Sequence, residues 1–324
     1  MTSIKDVARI AGVSVATVSR VLNDKGYVGQ NTREKVEKAI KETSYKPNEV
    51  ARSLFKKQSN TIGLIVPDIM NPFFTELARA VEDMATKLGY NVILCNSDGD
   101  KDKEQAYLDV LKQKYVNGII VSSNTLTAQQ VEELNVPVVS IDREISKGLP
   151  TIVVENKKGA VMATRYLQDK GCRRIGHIRG SYGVANAEER YEGYKEVVSK
   201  ETWFRESFIV NGDFDMQFSI EATAELLNRH PDIDGIFAAN DIMAIGAIKA
   251  AHQLGRKVPE ELAVIGFDGI KLSEVITPEL TTIVQPIYQL GETSTTMLIS
   301  LMEQQPVEQT YYTMAVELVE RKST

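Results

Sequence analysis

Cysteine, histidine and tryptophan are scarce in this 324-residue chain, which has two, three and one of them. Cys95 and Cys172 stand far apart, each in an apolar or strand-like context. They read as reduced core thiols, which argues against a disulfide framework or a thiolate metal site. His177, His230 and His252 are scattered and offer no ligand cluster, so neither a metal nor any other cofactor is expected. No apolar run approaches the roughly 18 residues of a membrane span. The opening MTSIKDVARIAG lacks the basic-then-apolar layout of a secretory signal, so a cytoplasmic chain with no membrane contact is expected. Catalytic patterns are missing too. There is no phosphate loop, no nucleophile elbow, and no histidine near Asp142 or Asp268 in sequence. Gly266-Phe267-Asp268-Gly269 is a turn rather than a dinucleotide fingerprint, and an enzyme is not expected.

What is present is an ordinary globular composition, 43% hydrophobic and 25% charged, at a length that suggests two or three domains. The net charge of -6 hides an asymmetry. Residues 1–60 carry twelve Lys/Arg against six Asp/Glu, so the rest of the chain is strongly acidic. A basic head on an acidic body suits contact with a polyanion through one end, although a solvated helical surface would look the same.

The head reads as helical throughout. Ser3 can cap a helix over Ile4 to Ala11, and Gly12 ends it, because glycine takes the left-handed turn cheaply. Ser14 caps a second helix from Val15 to Asn23, giving the spacing of a helix-turn-helix. A third helix, from Gln30 or Asn31 to Ser44, turns Val36, Ala39 and Ile40 inward and Arg33, Lys35, Lys38 and Lys41 outward. After the break at Lys46-Pro47-Asn48, with Asn48 as cap, residues 49–55 could form two more helical turns. So short a helix is unstable alone and should fold only against something else.

From Thr61 short apolar strands alternate with amphipathic helices. The strands read as 62–66, 92–95, 118–121, 138–141, 175–178, 208–210, 235–238 and 264–267; the helices as 74–87, 102–113, 158–169, 187–199, 219–228 and 241–254. That rhythm predicts an α/β body with parallel sheets covered on both faces. A fresh series near Arg173 predicts two doubly wound lobes, whose ligands bind beyond the carboxyl ends of the strands.

Residues 4–23, IKDVARIAGVSVATVSRVLN, resemble the head of the lactose/galactose repressor family, and the likeness continues through residues 45–54, YKPNEVARSL. The resemblance implies that the second helix enters the major groove of DNA, with Val15, Ala16 and Arg20 facing the bases. Arg20 can make paired hydrogen bonds to guanine, whereas Val15 and Ala16 offer only apolar contact. Ser3, Ser14, Thr17, Ser19 and Asn23 suit phosphate positioning. Ser14 could equally be only a cap, and Val18 and Val21 read as core. The resemblance also implies a hinge helix capped by Asn48 that pairs with its dimer mate in the minor groove, with Ala51 facing the groove and Leu54 wedging a base step.

The body resembles the periplasmic sugar-binding proteins, most closely the ribose-binding ones. Position by position this points to Asn71, Phe73, Phe74, Asp142, Arg143, Arg190 (at a helix start), Phe214, Asn240, Phe267, Asp268 and Gln285 as effector contacts. The carboxylates and carboxamides can bond sugar hydroxyls, the arginines add charged donors, and the phenylalanines can sandwich the ring. Taken singly, Asn71, Asp142, Arg143 and Arg190 could be caps or ion pairs. Together they favour ribose or a close pentose over sucrose, galactose or a purine.

The resemblance implies four segments: a head (1–47), a hinge helix and linker (48–59), a first lobe (60–158 and 286–314) and a second lobe (159–285 and 315–324). It implies a nucleoid-associated homodimeric repressor of a sugar operon, released from near-palindromic operator DNA by a sugar, with ribose the expected effector. Another sugar, a sugar phosphate, a purine or a phosphorylated carrier-protein corepressor stay open as alternatives. So do a solute-binding module without gene control and a sugar-modifying enzyme.

Overall fold

The computed structural model describes residues 3–22, 26–45 and 59–324. The expected contacts Asn23, Asn48, Ala51 and Leu54, and residues 48–58 of the expected hinge, lie outside these.

The head, taken by itself, contains helices α1 (Ile4–Ala11), α2 (Val15–Leu22) and α3 (Gln30–Thr43). Ser3 and Asp6 cap α1 reciprocally: the Ser3 side chain accepts from the Asp6 N–H, and the Asp6 carboxylate accepts from the Ser3 N–H at 3.0 Å. Such a cap is worth about 1 kcal/mol. Gly12 turns out of the helix at φ 66°, a conformation that would strain a side chain. Ser14 then accepts from the Thr17 N–H at 3.1 Å and starts α2. Val7, Ala8, Ala11, Val18, Val21, Val36 and Ala39 form the head core.

The body holds two six-stranded sheets. The first is ordered β11-β5-β4-β3-β1-β2 and is parallel throughout, from β1 (Thr61–Val66), β2 (Asn91–Asn96), β3 (Gly118–Ser122), β4 (Val138–Ile141), β5 (Thr151–Val154) and β11 (Tyr311–Met314). The second is ordered β12-β10-β9-β8-β6-β7, from β6 (Ile175–Arg179), β7 (Ile209–Asn211), β8 (Gly235–Ala238), β9 (Ala263–Asp268), β10 (Thr281–Val284) and β12 (Glu317–Val319); only β12 runs antiparallel to its neighbour. Every residue of β3, β4, β6, β8 and β9 is buried, as strands covered by helices on both faces require. Helices α4 (Pro72–Lys87), α5 (Lys101–Gln113), α6 (Ala128–Glu132) and α11 (Ile287–Met302) belong to the first lobe, and α7 (Asn156–Asp169), α8 (Ala185–Val198), α9 (Met216–Arg229) and α10 (Asp241–Gln253) to the second.

The chain passes between lobes three times, at residues 154–156, 284–287 and 314–317. In each sheet the strand order reverses beside the first strand, between β1 and β3 and between β6 and β8. Those two switch points put the loops after Val66, Ser122, Arg179 and Ala238 where a ligand crevice forms.

Some elements exceed the sequence expectation. Strands β5, β11 and β12 are short, and buried Ser294 and Thr295 interrupt the apolar face of α11, their hydroxyls donating back to the Gly291 carbonyl at 3.0 and 2.8 Å. Cys95 is buried as expected of a core thiol, but Cys172 is only half-buried.

Candidate effector cleft and nucleic-acid interface

A cavity of about 790 Å³ opens between the lobes at these strand ends. It lies within the range of about 300–1,000 Å³ typical of small-molecule sites. Asn71, Phe73, Phe74, Asp142, Arg190, Phe214, Asn240, Asp268 and Gln285 all line it. Asn71 also caps α4, its Oδ1 accepting from the Phe73 N–H at 3.1 Å. Phe73 and Phe74 meet edge to face with centroids 5.0 Å apart; Phe73 is sunk in the core and Phe74 is half-buried.

Arg190 and Asp268 occupy the second-lobe floor. The Arg190 Nη1 donates to the Ala239 carbonyl at 2.6 Å and to Asp268 Oδ1 at 3.2 Å, and Gln285 Nε2 donates to the same Oδ1 at 2.7 Å. Burial pushes the Asp268 carboxyl up; Arg190 and Gln285 hold it back only in part. Burial likewise raises Asp142, against the opposing pull of the Ser122 hydroxyl, which donates to it at 2.9 Å, and of Arg190. Asp241 sits behind the floor without lining it. Its carboxylate accepts from the N–H groups of Gly269 and Ile270 and from the Thr282 hydroxyl, fixing the turn that presents Asp268.

Backbone strain concentrates here. Asp98, Asp142, Asp213, Phe214 and Asp268 all line the cavity with positive φ, five of the ten such non-glycine residues among those described. Each costs on the order of 1–3 kcal/mol, so the surrounding structure must hold it in place. Four lining residues also keep one buried atom without a hydrogen-bond partner among the described residues: Glu104 Oε1, Asn186 Oδ1, Asn240 Nδ2 and Gln285 Oε1. Asn240 is oriented by its Oδ1, which accepts from the Met243 N–H at 2.9 Å, and Gln285 by its bond to Asp268.

Two expected contacts do not line the cavity. Arg143 turns its guanidinium onto the Ser123 and Leu126 carbonyls at 2.5 and 2.6 Å, so its charge holds the loop after β3. Phe267 is fully buried beneath Arg190, with the guanidinium 3.8 Å from its ring centroid, and supports the arginine instead of touching a ligand. Arg190 itself sits in the second turn of α8 and not at its start. The sequence reading missed Ser122 at the end of β3, Ser123, Asn124 and Thr125 after it, and Ser181, Tyr182 and Asn186 after β6, all of them cavity-lining. Their position at the two switch points was the available signal.

In the head, Val15, Ala16 and Arg20 project from α2 on the side away from buried Val18 and Val21; Val15 is 40% exposed. Ser14 is exposed, and Thr17 and Ser19 are partly so. Ser3 is exposed as well, with its side chain engaged by Asp6 at 2.7 Å.

A helix-turn-helix head in one chain with a two-lobed ligand cleft defines a ligand-responsive DNA-binding regulator. The family profile described as "Bacterial regulatory proteins, lacI family" matches residues 3–48, and "Periplasmic binding proteins and sugar binding domain of LacI family" matches residues 59–317. The chain belongs to the lacI family of bacterial regulatory proteins: it is a sugar-responsive, DNA-binding transcription repressor and not an enzyme. The ribose operon repressor of Halalkalibacterium halodurans is 50% identical, over 100% of this chain and 97% of that relative. The lac repressor dimer bound to operator and the anti-inducer ONPF matches with a TM-score of 0.87 at 29% identity, over 99% of this chain and 98% of that one. A LacI family regulator from Enterococcus faecium with bound ribose matches with a TM-score of 0.74 at 30% identity, over 82% of this chain and 98% of that one.

Proposed function

We propose that the protein represses a ribose-utilisation operon and leaves its operator when ribose binds between the lobes. The observation that carries this reading is the polar wall of the cavity, where Asn71, Asp142, Asn240, Asp268 and Gln285 bring hydrogen-bonding groups beside Phe74 and Phe214. A ligand rich in hydroxyls suits them. The cavity wall counts seven carboxyls, Asp68, Asp98, Glu104, Asp142, Asp213, Asp215 and Asp268, against one cationic side chain, Arg190, itself paired with Asp268. That field opposes an anion and favours a neutral polyol over a sugar phosphate. The names of the Halalkalibacterium relative and the Enterococcus structure support ribose as that polyol.

In this reading residues 1–47 read DNA and 48–59 form the hinge; the first lobe takes 60–154 with 286–314 and the second 156–285 with 315–324, the first boundary falling before α7 rather than after residue 158 because α7 packs on α8. Arg20 reads bases from α2, flanked by Val15 and Ala16, while Ser3, Ser14, Thr17 and Ser19 position phosphates. The active form is a cytoplasmic homodimer on a near-palindromic operator. A thermal-shift screen against ribose, other pentoses, hexoses, their phosphates and purines tests the effector. Ribose is expected to give the largest upward shift and ribose 5-phosphate none. A shift with a purine alone would overturn the assignment. So would operator binding that ribose leaves unmoved and a phosphorylated carrier protein strengthens.

A further inference from the structure

Arg190 is held from behind by a residue outside the cavity lining. Asn156 is 1% exposed and is the first residue of α7, at the end of the first crossover between lobes. Its Oδ1 accepts from Arg190 Nε at 3.0 Å, and its Nδ2 donates to Glu189 Oε2 at 3.0 Å. Both ends of the carboxamide are thus committed to α8, and neither faces the ligand. The preceding residue, Glu155, donates its N–H to the Met314 carbonyl at 3.0 Å, which ties the first crossover to the third. At the second crossover, Gln285 holds Asp268 both from its side chain and from its backbone N–H, the latter at 3.0 Å to the Asp268 carbonyl.

A continuous buried path therefore runs from Asn156 through Arg190 and Asp268 to Gln285, with a carboxamide from a crossover at each end and the cleft ion pair in the middle. We propose that Asn156 is a positioning residue that aims the Arg190 guanidinium into the cleft and couples it to the crossover strands, so that a ligand engaging Arg190 is felt where the lobes rotate. This rests on the effector reading above. A carboxamide suits the role: its oxygen orients Nε without neutralising the charge, and its nitrogen engages Glu189 without itself adding a cation. The fixed guanidinium then has a discrete geometry that a ligand can favour or disfavour, as coupling between distant sites requires.

The test uses the full-length protein and the variants Asn156→Ala and Asn156→Asp. Three quantities are read: ribose Kd, the ratio of operator Kd with and without saturating ribose, and the solvent exchange of the Arg190 Nε–H by arginine side-chain NMR without effector. In Asn156→Ala, ribose Kd should rise at least about tenfold, as for loss of a charge-assisted bond. The operator ratio should fall toward 1, and Nε–H exchange should become fast. Asn156→Asp keeps the acceptor for Nε and should recover much of the ribose affinity. A purely structural role would lower the melting temperature of both variants and leave the operator ratio at its wild-type value, which would overturn the proposal. Wild-type protein that ignores ribose would refute the effector reading instead, and the exchange measurement, which needs no ribose, would still decide whether Asn156 holds Arg190.

Discussion

The Arg190 guanidinium lies 3.2 Å from the Asp268 carboxylate on the floor of the cleft, with both side chains more than nine-tenths excluded from solvent. A buried ion pair adds little stability over a well-packed apolar pair, but losing one partner strands the other. Such a pair is kept for what it presents, and here it presents a fixed cation and a fixed anion to whatever enters between the lobes.

Replacing Arg190 by alanine should therefore cost about 3–5 kcal/mol, and the melting temperature should fall by roughly 10 °C. Ribose binding should be lost. The deficit should shrink as pH is lowered from 8 to 6, because a protonated Asp268 no longer needs the partner, and burial already pushes that carboxyl up. Calorimetric melting at several pH values checks both. A stability loss independent of pH would show that the anion is not what Arg190 compensates.

His177 gives a separate pH signature. It is fully buried, stacked between Tyr194 at 4.8 Å and Phe237 at 5.0 Å, with Nδ1 2.9 Å from the Phe237 carbonyl. Burial depresses its pKa to about 3 from the ordinary 6.5. As pH falls below 6.5 the unfolded chain takes up this proton and the folded protein does not, so stability declines by about 1.4 kcal/mol per unit toward pH 3. Urea unfolding of His177→Phe over that window should show a shallower decline than wild type. Parallel curves would mean that the wild-type imidazole ionises without unfolding.

Gly180 should be intolerant of a methyl group for a local reason. A Cβ there would come within 2.2 Å of the Phe214 ring, which already sits on a backbone at φ 56°. Gly180→Ala should displace the ring from the cleft and raise ribose Kd about tenfold, since a misplaced aromatic face forfeits its contact, while the melting temperature moves little. The double variant Gly180→Ala/Phe214→Leu should regain part of the affinity. Isothermal titration separates the cases, and an unchanged Kd in Gly180→Ala would remove Phe214 from the site.

Arg20→Ala should weaken operator binding by about 1–3 kcal/mol and relax discrimination at one base pair in each half-site. Ribose affinity should stay at the wild-type value. Binding to a panel of operator variants checks this; a uniform loss with specificity intact would recast Arg20 as a phosphate contact.

The helix-turn-helix and the alternating body were legible because caps, glycine stops and apolar strands are local signals. Ser3 and Ser14 occupy the capping positions that their hydroxyls suggest, and Gly12 the left-handed turn that lacking a side chain allows. The cleft was legible in part. Asn71, Asp142, Asn240, Asp268 and Gln285 end strands or open helices, and strand ends are where such crevices form. Arg143 and Phe267 sit in equally suggestive positions, but which way a side chain points depends on tertiary partners. Arg143 finds two loop carbonyls, and Phe267 finds the underside of Arg190. Asn156 carries no motif at all. Its role comes from the packing of α7 on α8, a contact 34 residues apart in sequence.

The most direct test is fluorescence anisotropy of labelled operator DNA with the full-length protein, titrated with ribose and with ribose 5-phosphate at constant salt. Ribose should weaken operator binding by roughly 5- to 150-fold, the usual range for coupled sites, and ribose 5-phosphate should leave it unchanged. Operator affinity indifferent to ribose, or responsive to the phosphate instead, would contradict the account of a cleft built for a neutral polyol.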